Sequence, residues 1–138
     1  MARGFAVFTD NHVQQAVVDG LVAAGWDVVR AIDAFAGGTA DAVLFEHAAR
    51  DGRVFVTNDE DLLVIAAAWL DAGRSFPGLV YWHEDDYAAM TTGEILGSFE
   101  ALSRKLPFPY PIHFVKPRGT RGERRERFKR SRRRRGRR

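Results

Sequence analysis

The sequence contains no cysteine, which excludes disulfide bonds, a thiolate nucleophile and cysteine-based zinc or iron–sulfur sites. A reducing compartment suits such a chain, and we expect a cytoplasmic protein. Long apolar runs are also missing, because the longest one, from Leu62 to Leu70, has nine residues and cannot cross a bilayer. The first residues lack the apolar segment of a secretory signal peptide. We therefore expect no membrane partner.

Charge is distributed unevenly along the 138 residues, whose number suits one folded domain. Residues 1–115 carry seven Lys or Arg against sixteen Asp or Glu, a net charge of −9. Residues 116–138, the basic tail, carry fourteen basic residues against two acidic ones, a net charge of +12. The tail has no apolar periodicity. We predict a folded domain over residues 1–115 and a disordered basic tail over residues 116–138.

The basic tail predicts contact with RNA or DNA phosphates in a salt-dependent, sequence-independent way. An acidic domain repels RNA, so the tail would supply the recruitment that the domain lacks. The alternative is a solvated extension, or one that folds back over the acidic face of the domain. The candidate nucleic-acid-binding residues are Arg124, Arg125, Arg127, Lys129, Arg130, Arg132 and Arg133.

Strand patterns alternate with helical patterns along residues 1–115. Short apolar runs predict strands over Phe5–Thr9, Trp26–Ile32, Arg53–Thr57, Leu79–Trp82 and Ile112–Val115. Helical spacing predicts four helices. The first runs from Val13 to Ala24, and the second follows an N-cap at Thr39 and ends at Arg50. The third runs from Leu62 to Leu70, and the fourth follows a capping box of Thr91 and Glu94. The alternation predicts a three-layer α/β fold, with a mainly parallel sheet of four to five strands, right-handed crossovers and helices on both faces.

Four aspartates fall at the predicted carboxyl edge of this sheet. Asp10 follows the first strand, Asp41 opens the second helix, and Asp59 and Asp61 follow the third strand. Clustered carboxylates repel one another unless a cation neutralises them, and their oxygens suit Mg²⁺ or Mn²⁺ better than zinc. Such a site can hydrolyse phosphodiesters without a side-chain nucleophile. The alternative for each residue is a turn former or helix N-cap.

Polar and aromatic neighbours extend this candidate site. Asn11, Thr57 and Asn58 could hydrogen-bond a carboxylate or a metal-bound water, or could simply satisfy the turns in which they lie. His12 could touch a phosphate, although a lone histidine in a first helical turn is more often solvent-facing. Tyr81, Trp82, His83 and Tyr87 could stack a base, with Trp82 more typical of a core.

Three segments resemble the motifs of small PIN-like proteins related to VapC toxins and to the Mut7 C-terminal domain. They are FTDNHV at the first strand, GGTADAVL at the second helix and VFVTNDEDL after the third strand. The similarity covers about residues 5–82. It implies metal-dependent ribonuclease action, with Asp10, Asp41, Asp59 and Asp61 as catalytic residues that hold Mg²⁺ or Mn²⁺.

The resemblance also implies partners, namely RNA, a protein antitoxin if the chain is a toxin, and a second copy in a homodimer. The chain departs from the family at Leu62, where Phe is common, and in its basic tail.

Two other functions fit the residues less fully. One is a non-catalytic PIN-like module that binds RNA or a partner through the tail. The other is a phosphoacceptor domain, which would need an acidic pair on strand 1 and a lysine at a strand end.

Overall fold

The computed structural model describes residues 3–108 and 110–117. Five strands lie in these residues: β1 (Arg3–Thr9), β2 (Trp26–Arg30), β3 (Val54–Thr57), β4 (Leu79–Tyr81) and β5 (Ile112–Phe114). Six helices lie between them: α1 (Gln15–Ala23), α2 (Ala31–Ala34), α3 (Asp41–Arg50), α4 (Glu60–Asp71), α5 (Glu84–Ala89) and α6 (Thr92–Ser103). Residues 118–138 of the basic tail, for which we predicted disorder and which include the seven candidate contact residues, lie outside the described residues.

The five strands form one sheet in the order β2-β1-β3-β4-β5, and every neighbouring pair is parallel. The predicted α/β fold with a mainly parallel sheet is therefore confirmed. Because all strands run the same way, their carboxyl ends meet at one edge. The ends of β1 and β3 are direct neighbours there, since Thr9 pairs with Val56.

Alternate side chains of each central strand enter two separate cores, one on each face of the sheet. On one face, Val7 of β1 packs with Val17 of α1 and Phe99 of α6. On the other face, Phe8 packs with Phe45 of α3 and with residues of α4. Burial on both faces explains why β3 reads as a continuous apolar run, and all four of its residues are buried.

The last crossover differs from the expected right-handed pattern. The steps from β3 to β4 and from β4 to β5 move in the same direction across the sheet. Helix α4 of the first step packs on the face of α3, whereas α6 of the second packs on the opposite face against α1. Two such steps with helices on opposite faces must have opposite hands. The arrangement buries Ile95, Phe99 and Leu102 of α6 over the α1 side of the sheet.

Local details of the helices also differ from the sequence expectations. The N-cap of α3 is Ala40 without a side-chain cap, and the prediction of Thr39 was wrong, because its hydroxyl donates to the Ala36 carbonyl at 2.6 Å instead. The capping box of Thr91 and Glu94 is confirmed. Helices α2 and α5 were not predicted, since four to six residues are too few to show helical periodicity. Among the described helices, none combines the length and apolarity that a bilayer crossing needs.

Candidate metal centre and its adjoining cavity

The topology creates a crevice between the carboxyl ends of β1 and β3. From β1 the chain moves to β2 on one side of the sheet, then returns to β3 on the other side. The connections leave β1 and β3 toward opposite faces, and a gap opens where they diverge. Asp10 follows β1 directly, and Asp59 lies two residues beyond the end of β3.

Three of the four predicted aspartates converge at this crevice. Asp41, Asp59 and Asp61, the acidic triad, each offer a carboxylate oxygen, and these atoms all lie within 4.8 Å of one another. Asp41 is the first residue of α3, Asp59 is the N-cap of α4, and Asp61 lies in the first turn of α4. Three hard oxygen donors at this spacing form a donor set that fits Mg²⁺ or Mn²⁺.

Electrostatic repulsion within the acidic triad is visible at Asp41. Burial raises the pKa of the Asp41 carboxyl first, and the negative charges of Asp59 and Asp61 raise it further, while His12 opposes the change. Mutual repulsion of this kind is reduced when a cation lies between the carboxylates. The triad is therefore electrostatically prepared for a positively charged ligand.

Asp10 stands apart from the group that shares the 4.8 Å spacing. Its carboxylate is buried, accepts a hydrogen bond from the Thr57 hydroxyl, and accepts another from the His12 backbone N–H at 2.9 Å. Burial is the largest cause that raises the pKa of Asp10, and the nearby charge of Asp59 adds to it. The hydrogen bonds from Thr57 and His12 act in the opposite direction.

A chain of hydrogen bonds links Asp10 to the acidic triad. The Thr57 hydroxyl, which donates to Asp10, accepts from the Asp59 backbone N–H at 2.9 Å. The Asp59 carboxylate in turn accepts from the Asp61 backbone N–H at 2.9 Å and so caps α4. Thr57 therefore contacts a carboxylate and satisfies its turn at the same time.

The remaining polar neighbours make fewer contacts with the carboxylates. Asn11 is exposed and Asn58 is half-buried, and neither side chain makes a hydrogen bond within residues 3–108 and 110–117. His12 lies in the turn before α1 and not in a first helical turn, because α1 begins only at Gln15. Its side chain is exposed, and its Nε2 lies 4.0 Å from the Asp59 carboxylate. This proximity depends on the tertiary fold, because the turn after β1 brings His12 over the end of β3.

A cavity of about 640 Å³, which we call the acidic cavity, adjoins the triad. Asp59 and Asp61 form part of its wall beside His12, and Tyr81, His83 and Glu84 contribute from the end of β4 and the start of α5. Of the four aromatic residues considered in the sequence, Tyr87 also lines the cavity, whereas Trp82 is fully buried in the core. The volume is within the range of small-ligand sites.

The PIN-like domain family model matches residues 6–73, the segment from β1 to just beyond α4. This chain is a PIN-like domain protein. The match contains Asp10 and all three members of the acidic triad, so the family and the geometry select the same carboxylates. A search of curated proteins and a search of solved structures found no match.

Residues of β4 and α5 form one wall of the acidic cavity. This wall lies C-terminal to residues 6–73, the segment that the PIN-like family model matches. Sequence reasoning missed α5, because its N-cap is His83, whose Nδ1 accepts from the Asp85 backbone N–H at 3.1 Å. Histidine is not among the common N-cap residues. The available signal was the acidic run from Glu84 to Asp86 shortly after a strand, which is typical of a first helical turn.

Proposed function

We propose that this PIN-like domain is a ribonuclease that depends on Mg²⁺ or Mn²⁺ and hydrolyses RNA phosphodiester bonds. The observation that supports it most is the convergence of Asp41, Asp59 and Asp61 within 4.8 Å. PIN-like domains are commonly nucleases, and the family match contains these residues. When bound, the ion would lower the pKa of a water and stabilise charge on the phosphate oxygens.

The protein's own contribution is to hold the carboxylates in place. Asp59 is fixed by its hydrogen bond to the Asp61 N–H and by the bond from its own N–H to Thr57. Asp10 is the fourth carboxylate of the proposed site. Its two oxygens accept one hydrogen bond each, so both keep a lone pair available for a ligand. Preorganised ligands of this kind reduce the entropic cost of binding an ion and a substrate.

RNA cleavage by the purified full chain tests the proposal. We expect cleavage with Mn²⁺ or Mg²⁺, none in EDTA, and a loss of at least about a hundredfold in Asp59→Asn and in Asp10→Asn. Asp71→Asn is the matched control, since Asp71 is exposed at the far end of α4. Unchanged activity in both variants would remove the ribonuclease proposal.

A toxin role is a further part of this proposal. Expression in a bacterial host should arrest growth, and Asp59→Asn should relieve the arrest. A short open reading frame beside the gene, whose product neutralises the protein, would identify an antitoxin. Analytical ultracentrifugation of the full chain tests the predicted homodimer. Growth that is the same with the native chain and the Asp59→Asn variant would contradict the toxin role.

A second candidate function is a non-catalytic module that binds RNA through the basic tail. It is favoured by the opposite charges of residues 1–115 and 116–138, −9 and +12. We expect the full chain to bind single-stranded RNA with an affinity that falls as salt rises, at a slope of about −0.7 per phosphate contact. Glutamine at the seven candidate positions should flatten that slope. Loss of affinity in this variant, with no cleavage by the full chain, would favour the module over the enzyme.

A further inference from the structure

The acidic cavity has an uneven charge. Four carboxylates, those of Asp59, Glu60, Asp61 and Glu84, line it, and its described lining contains no Lys or Arg. Two of them, Glu60 and Glu84, are exposed residues outside the acidic triad. A cavity with this lining repels phosphates and attracts a cation with several N–H donors.

Tyr81 gives a second, independent indication of a ligand. Its side chain lines the cavity, and the residue is 4% exposed. None of the hydrogen bonds among the described residues uses its hydroxyl, in contrast to the Tyr87 hydroxyl, which accepts from the Gln14 N–H at 2.6 Å. A hydroxyl that reaches a cavity from an otherwise buried side chain, and has no protein partner, can accept a hydrogen bond from a ligand. A guanidinium group, with five donors in a planar fork, matches this hydroxyl together with several carboxylates.

The chain itself carries guanidinium groups shortly after the strand that ends at this edge of the sheet. Strand β5 is parallel to β4, and the Val115 N–H donates to the Tyr81 carbonyl at 2.7 Å. The described chain then continues to Pro117, and thirteen Lys or Arg follow in residues 118–138. Neighbouring strands are about 4.8 Å apart and an extended residue spans about 3.3 Å, so a few residues suffice to reach the cavity.

We propose that the basic tail binds the acidic cavity of its own chain, with arginine guanidinium groups paired to the four carboxylates that line the cavity. This interaction does not require RNA hydrolysis, so it stands or fails separately from the proposed enzyme. Arginines held in the cavity cannot contact phosphates at the same time. RNA therefore competes with the cavity for the tail.

Nuclear magnetic resonance of the full chain tests this interaction. An increase in salt from about 0.1 M to about 1 M shortens the Debye length from about 10 Å to about 3 Å. We expect this increase to shift the amide resonances of Tyr81, His83 and Glu84. A tail variant with glutamine at all thirteen basic positions of residues 118–138 should show the high-salt positions already at low salt. A short oligouridylate added at low salt should move the native resonances the same way.

Matched variants identify the surface involved. Glu60→Gln with Glu84→Gln should reduce the salt-dependent shifts, whereas Asp19→Asn with Asp71→Asn, two exposed carboxylates outside the cavity wall, should preserve them. Identical salt shifts in the native chain and the tail variant would overturn the proposal. Shifts that grow with protein concentration would overturn it too, because the tail would then bind a second copy.

Discussion

The hydroxyl of Thr57, the last residue of β3, donates a hydrogen bond to the carboxylate of Asp10, the residue after β1. Both residues are buried. The same hydroxyl oxygen accepts from the Asp59 N–H, so its single proton is committed to Asp10. One threonine therefore joins the ends of the two central strands and orients Asp59 of the acidic triad.

Removal of this hydroxyl should destabilise the fold. Thr57→Val keeps the shape but leaves the buried Asp10 carboxylate with the His12 N–H alone. We expect a loss of about 1–3 kcal/mol in the free energy of unfolding, measured by urea titration. Thr39→Val is the control, since that hydroxyl bonds a carbonyl at an exposed site and should matter less. Equal effects of the two substitutions would contradict the role given to Thr57.

Metal affinity should depend on the acidic triad residue by residue. Asp41→Asn, Asp59→Asn and Asp61→Asn each remove a charged donor from the set of oxygens within 4.8 Å. We expect each to weaken Mn²⁺ binding by at least about tenfold in calorimetry, since changes to groups that merely orient ligands already cost that much. Asp33→Asn, at an exposed position of α2, is the control. Native affinity in all three triad variants would exclude the site.

Gly4 should tolerate no side chain. Its φ is +69°, and an added Cβ would approach the ring of Trp26 to 2.6 Å. Gly52 has the same φ with no atom within 4 Å of such a Cβ, so it isolates the backbone cost. We expect Gly52→Ala to cost about 1 kcal/mol in unfolding free energy, and Gly4→Ala about 1–3 kcal/mol more. Equal costs in thermal or urea unfolding would show that Trp26 moves freely.

His113 should make stability fall in mild acid. Burial lowers the pKa of its imidazole, and the charge of Lys105 lowers it further. The unfolded chain, with an ordinary value of 6.5, then takes up a proton before the folded chain does. The contribution of neutral His113 is complete above about pH 6.5 and is lost as the pH falls toward the lowered folded pKa.

The measurement compares unfolding free energies from about pH 8 to about pH 5. The native chain should lose stability relative to His113→Gln across this range, and Lys105→Gln should reduce that loss. His113 packs on Phe108 with ring centroids 4.5 Å apart, so His113→Gln also has a constant packing cost at every pH. A parallel pair of curves for the native chain and His113→Gln would refute the prediction.

The alternation of apolar runs and helical spacing was enough to predict the five strands and the four longer helices. The central strands β1, β3 and β4 contribute side chains to the cores on both faces of the sheet, and each longer helix has a periodic apolar stripe, so local composition indicates their type directly. Asp10, Asp41, Asp59 and Asp61 could be assigned to one edge, because carboxyl ends of parallel strands share an edge. Helices α2 and α5 could not be predicted, because each is shorter than the window over which periodicity is visible.

The sequence by itself determined the fold class, the motifs of a PIN-like domain and the separation of acidic and basic segments, since these follow from residue types in order. The tertiary structure decided the distances. It placed Asp41 beside Asp59 and Asp61, and it placed the Asp10 carboxylate in a hydrogen bond with the Thr57 hydroxyl. It also formed a cavity whose wall includes Tyr81 and Glu84. These contacts join residues far apart in the chain, and their spacing depends on how helices pack over the sheet.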